Sequence, residues 1–197
     1  MRVSLTHRSL FLTIILLIPT SLAAQVQGDP HAAETVRGNA LIKSGNQKLR
    51  DGDTDGAIAD FNQVIEIDKI FPENVQSASY VNRGRAFEKK GDLDAALEDL
   101  NKAIKLQSNN FVAYLNRGGL HEKRKEINEA LADYSKAIKL SSKFPFPYRA
   151  RGLILLKQAK DSEADADFAK YLELFPDGKE SLDKEIQKIK DERTTKP

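Results

Sequence analysis

From Ser77 to Gly178 the chain repeats itself every 34 residues without an insertion. YVNRGRAFEKKGDLDAALEDLNKAIKL at Tyr80 to Leu106 aligns with YLNRGGLHEKRKEINEALADYSKAIKL at Tyr114 to Leu140, and a further copy opens YRARGLILL at Tyr148. A more diverged copy precedes them, so the units are 38–71, 77–110, 111–144 and 145–178, with five extra residues, Pro72 to Gln76, after the first. One such unit is too small to bury its own apolar face, so neighbours must stack and the fold is an array.

Within each unit the choice of residues is that of a helix pair. Counting from the first residue of a unit, the eighth place holds Gly45, Gly84, Gly118 and Gly152, and the twentieth Ala57, Ala96, Ala130 and Ala164. These small residues are expected to meet where two helices cross. Leu41, Tyr80, Tyr114 and Tyr148 at the fourth place, and Phe61, Leu100, Tyr134 and Phe168 at the twenty-fourth, supply volume around that crossing. Val64, Ala103, Ala137 and Tyr171 should face the next unit. Gly52 and Gly91 fall where the turn between helices needs a left-handed backbone, and Lys125 and Ala159 at the same place should cost ~1 kcal/mol each.

Periodicity predicts helices from Pro30 to about Arg50, then over 54–68, 73–90, 93–106, 111–124, 127–140, 145–158 and 161–174, and no strand. A last helix, Glu180 to about Asp191, carries one apolar stripe of Leu182, Ile186 and Ile189, as a terminal cap requires. The pattern resembles the tetratricopeptide repeat (TPR) family over about Gly38 to Gly178. That resemblance implies an all-α, right-handed α-solenoid of four helix pairs, with a capping helix at 179–192 and a tail at 193–197. The first unit departs from the pattern where Lys48 replaces a large apolar residue at the eleventh place.

Arg2, His7 and Arg8 precede the apolar run Leu10 to Ile18, followed by Pro19 and the small-x-small stretch Ser21-Leu22-Ala23. This is the layout of a signal peptide over 1–24, and it leaves 25–37 as leader and helix start. The expectation is an exported protein, periplasmic or secreted, with no membrane anchor after cleavage. Without Arg2 and Arg8 the chain has 29 basic and 29 acidic residues, a balance that offers no electrostatic case for nucleic acid. No cysteine is present, which excludes disulfides, thiolate metal sites and thiol nucleophiles. No phosphate loop, metal-ligand cluster or nucleophile–base pair is seen, so neither enzyme activity, cofactor nor metal is expected.

By the same resemblance the concave surface is lined by the first helix of each unit, including Asn46, Leu49 and Arg50, Glu88, and Glu122 and Lys123. The peptide-contacting residues selected from it are Asn82, Asn116, Val81, Arg85, Leu115, Lys89, Phe146 and Arg149. Asn82 and Asn116 share the sixth place one repeat apart, where an amide can both donate to and accept from a peptide backbone. A carboxylate clamp of the kind found in some family members would need cations where Ile42, Val112 and Asn116 stand, and is rejected. Arg83, Arg117 and Arg151 recur at the seventh place and Asp60, Asp99, Asp133 and Asp167 at the twenty-third. Asp60, Asp99 and Asp133 are expected to pair with the Arg of the following unit, Arg83, Arg117 and Arg151 respectively. His121 is expected to fill space. The function implied is binding of a protein or peptide by a scaffold in the cell envelope. The alternatives are a substrate-delivering or regulatory subunit of an envelope enzyme, and a self-assembling homo-oligomer.

Overall fold

The computed structural model describes residues 30–67 and 73–195. The expected signal peptide, the leader to residue 29, Pro72 and the last two residues of the tail lie outside them, as does the side chain of His31. Among the described residues nine α-helices follow in order: α1 (Pro30–Asp51), α2 (Thr54–Glu66), α3 (Glu73–Lys90), α4 (Leu93–Leu106), α5 (Phe111–Lys123), α6 (Ile127–Leu140), α7 (Phe146–Lys157), α8 (Asp161–Leu174) and, after a 3-10 turn at Pro176–Gly178, α9 (Lys179–Thr194). No strand occurs among the described residues. Residues 73–76, extra to the repeat, are helical and lengthen α3.

Helices pair as α1–α2, α3–α4, α5–α6 and α7–α8, and each second helix packs on the first helix of the next pair. In addition α1 touches α3, and α3 touches α5, whereas α2, α4, α6 and α8 do not pack on one another to that extent. The first helices therefore crowd together and form the inner side of the stack. Phe61, Leu100, Tyr134 and Phe168 are almost wholly buried, as are the twentieth-place alanines. Removing each such large side chain from water stabilises the stack by ~1.5–3 kcal/mol.

At the crossing the nearest neighbour of the eighth-place glycine is a ring in three units. A Cβ on Gly45, Gly118 or Gly152 would lie 2.8, 2.7 and 2.7 Å from the ring of Phe61, Tyr134 and Phe168 respectively. The glycine thus makes room for the large residue of the twenty-fourth place. In the second unit, where Leu100 replaces the ring, the Ala96 carbonyl lies 3.3 Å from the same point on Gly84.

Turns inside the units follow one rule with two grades. Gly52 and Gly91 have φ of 89° and 92°, and Lys125 and Ala159 adopt the same region at 63° and 60°. The next residue caps the second helix: Asp53 accepts from Gly56 N at 2.9 Å and Asp92 from Ala95 N at 3.1 Å. Glu126 and Lys160 make no such bond. The third and fourth turns therefore lack both the glycine and the cap.

Helix α9 continues the 34-residue register: Lys179 is the first place of a fifth unit, and Leu182 and Ile189 take the fourth and eleventh. Both are buried against Tyr148, Leu155 and Leu156 of α7 and Phe168 and Tyr171 of α8. Its end is pinned by Arg193, which donates to Leu156 O at 3.3 Å and Asp161 at 2.6 Å. That anchorage carries the helix to Thr194, past the expected stop near Asp191.

Candidate peptide-binding groove

The seventh-place arginines do not bridge to the preceding unit's Asp, as expected from sequence. Arg83 Nε and Nη2 donate to Asp99, Arg117 to Asp133 and Arg151 to Asp167, all at 2.7–2.8 Å and all within one unit. The remaining Nη1 reaches back to the twenty-fifth place of the unit before, to Asn62 at 2.7 Å, Asn101 at 2.7 Å and Ser135 at 3.0 Å. Each planar fork therefore closes its own hairpin and staples it to the previous one. The Asp hydrogen bonds hold these guanidiniums above their ordinary pKa, although burial works the other way. Sequence alone could not order the pairs, because both candidate carboxylates recur with the same period.

The first unit solves the same problem differently. Ser44 replaces the arginine, and Lys48, the apparent misfit, places Nζ 2.8 Å from buried Asp60. Burial raises the Asp60 pKa, but the nearby Lys48 ammonium and Ser44 hydroxyl outweigh it and leave the carboxyl below its ordinary value. His121, at the eleventh place of the third unit, also faces the twenty-third-place carboxylate. Its Nε2 is 3.7 Å from Asp133 and its Nδ1 2.6 Å from Glu126, so it links charged groups rather than only filling space.

A second ladder runs along the inner side. The thirteenth-place lysine of each unit reaches back to the twelfth place of the one before: Lys123 to Glu88 at 2.8 Å and Lys157 to Glu122 at 3.2 Å. At the first junction the twelfth place is Leu49, so Lys89 donates to the Leu49 carbonyl at 2.6 Å instead. Around that junction Asn46, Leu49, Arg50, Arg85, Glu88, Lys89 and Lys123 line a cleft of about 450 Å³.

Of the eight residues selected from sequence, Arg85 and Lys89 line this cleft. Arg85 is exposed, and neither it nor the half-buried Asn82 amide bonds to another described residue. Asn116 is turned onto its own helix, where Nδ2 donates to Val112 O at 2.7 Å. Val81 is 3% exposed and supports the surface from beneath, while half-buried Leu115 packs with Ala130, Tyr134 and Ile154. Phe146, 43% exposed, lies between Phe144 and Phe175 in an aromatic row. Arg149 is taken by Glu185 of α9, beside a smaller cleft of about 260 Å³ lined by Leu153, Lys157 and Glu185 among others. Asn46, Leu49, Arg50, Glu88 and Lys123 belong with Arg85 and Lys89; their signal was the recurrence of one cleft-lining position set, the ninth, twelfth and thirteenth places.

Two family models fit the register described above: residues 84–125 match one described as TPR repeat, and 112–144 one described as tetratricopeptide repeat. The second and third units match tetratricopeptide repeats. Among solved structures, that of MamA is similar with a TM-score of 0.60 at 22% identity, covering 82% of this chain and 88% of that one. PilF of Pseudomonas aeruginosa is similar with a TM-score of 0.70 at 23% identity, covering 82% and 72%. The first TPR domain of Spaghetti (RPAP3), solved with an HSP90 peptide, gives 0.56 at 24% identity, covering 62% and 94%. At these identities the likeness is one of fold. No curated protein matches the chain in sequence.

Among the described residues no group of three or more His, Asp and Glu could hold a metal ion, and no helix is long and apolar enough to cross a membrane. The tetratricopeptide architecture is that of a protein-interaction scaffold, and here a cleft spans the inner side of the first three repeats.

Proposed function

We propose that the protein is a non-catalytic scaffold that binds a peptide or partner helix along the inner side of its first three tetratricopeptide repeats, in the cell envelope after export. The supporting observation is the cleft at the first junction, where Asn46 and Arg85 make no bond to another described residue. Donors left free on a rigid helix face are what a ligand backbone and its side chains can use without first breaking internal bonds. The solved complex of a tetratricopeptide domain with a peptide accords with that use of the fold.

Selection from a displayed random-peptide library tests the reading. Peptides that bind the intact protein and are lost on Asn82→Ala with Arg85→Ala support it; peptides that bind both equally place the site elsewhere. Export is tested by mass spectrometry of the protein recovered from a secreting host, where loss of residues 1–23 or 1–24 is expected and an intact N-terminus is not.

A second reading rests on the aromatic row. Phe146 and Phe175 are among the exposed large apolar residues, with ring centroids 5.9 Å apart, and such a patch suits pairing with another copy. Light scattering after size exclusion decides it: a dimer that Phe146→Ser with Phe175→Ser dissolves supports self-assembly, and a monomer excludes it.

A further inference from the structure

We propose that the first-junction cleft is a seat for acidic side chains, so that the groove's ligand is an Asp- or Glu-rich peptide segment. This rests on the groove reading and adds the chemistry of what enters it.

Charge carries the argument. The cleft holds four cations, Arg50, Arg85, Lys89 and Lys123, against one carboxylate, Glu88, which Lys123 already uses at 2.8 Å. Arg50 donates only to the neutral Gln47 Oε1, Lys89 only to a carbonyl, and Arg85 to no described residue. Nearby Asp51 accepts from Gln47 at 2.9 Å. Three positive charges thus face one cleft without an anionic partner in a chain whose net charge is only +2. The excess has an identifiable origin, because the ladder supplies a glutamate at each later junction and Leu49 at this one.

Compensation of a helix end explains only part of the arrangement. Lys89 lies in the last turn of α3, where cations offset the helix dipole. Arg85 stands a turn earlier and has no such task. Arginine also suits carboxylate better than lysine does, since two parallel N–H groups can meet both oxygens. The residues involved occupy the ninth, twelfth and thirteenth places, away from the cation places of the rejected clamp at Ile42, Val112 and Asn116. The free Asn46 amide borders the same cleft and can hold the backbone beside an acidic side chain.

Fluorescence anisotropy on the full chain tests this with labelled hexaglutamate, hexaserine and hexalysine, and with a short single-stranded DNA as the competing anion. Hexaglutamate is expected to bind, to weaken as salt rises from about 50 to about 200 mM, and to lose at least about tenfold in affinity on Arg50→Gln with Arg85→Gln. Both arginines are exposed, and an unchanged circular dichroism spectrum certifies the variant; Arg85→Glu alone gives an independent second reading. Equal binding of hexaserine, tighter binding of DNA, or indifference to these substitutions overturns the proposal. Library peptides that bind in the groove yet lack acidic residues overturn it while leaving the groove reading intact; a library that yields no binder removes both.

Discussion

Arg117 and Asp133, sixteen residues apart, meet as a parallel two-bond fork with Nε and Nη2 at 2.7 and 2.8 Å from the carboxylate. Asp99, the partner expected from sequence, is instead held by Arg83. A double-mutant cycle separates the two arrangements. Arg117→Met with Asp133→Asn should show a coupling of ~0.5–3 kcal/mol in urea unfolding, and Arg117→Met with Asp99→Asn a much smaller one. A larger coupling for the second pair would contradict the geometry.

Lys48 stands in for the missing arginine of the first unit. Lys48→Leu should cost ~1–3 kcal/mol, because Asp60 is left buried with only Ser44 beside it. Adding Ser44→Arg reproduces the Arg151 and Leu155 arrangement of the fourth unit and should recover most of the loss. Thermal melts of the single and double variants check both halves.

Two glycines at the same place should respond differently to alanine. Gly118→Ala drives a Cβ to 2.7 Å from the buried Tyr134 ring and should destabilise by ~1–3 kcal/mol. Gly84→Ala sets the new Cβ 3.3 Å from the Ala96 carbonyl and from Leu100, a tight contact that a shift of a few tenths of an ångström relieves and that the better helix propensity of alanine offsets. Urea midpoints should fall for the first and change little or rise for the second.

The weaker turns can be repaired. Ala159→Gly relieves a positive φ at ~1 kcal/mol, and Lys160→Asp supplies the absent cap at ~0.5–2 kcal/mol. Together they should raise the melting temperature by several degrees, about 2–4 °C per kcal/mol for a chain of this size. Lys160→Asp in a chain whose melting point stays fixed would argue that the α8 start frays before global unfolding.

Acid should destabilise the stack through three carboxylates. Asp60 is lowered below its ordinary 3.8 by Lys48 and Ser44 in spite of burial, Glu126 below 4.5 by His121 and Arg124, and Asp161 below 3.8 by Arg193. A depressed folded value means that the unfolded chain binds protons first, so the contribution is whole above about 4.5 and is lost as pH falls through the lower folded values. Urea midpoints measured downward from pH 5 should decline, and the decline should be shallower in Lys48→Leu.

Much of this was legible because small, large and turn-forming residues recur together, which fixes helix boundaries to within a few residues. The pairing of Arg with Asp was not, since a period of 34 aligns every unit with its neighbour and cannot say whether residue 117 looks back or stays home. Lys48 read as a defect for a related reason: its role shows only when Ser44 and Asp60 are seen on the same hairpin. The pairing of Arg149 was hidden as well, because Glu185 sits among many charges on α9 and only packing reveals that the two meet.

Ile186 occupies the eighth place in α9, where every preceding unit has glycine. A branched side chain there fills the space that a partner ring would need, so a further hairpin has nowhere to dock and the array has a built-in terminus. Lengthening by gene duplication would therefore succeed upstream of Pro145, where a copied 111–144 module meets matching forks and lysines on both sides, and fail downstream of Thr194.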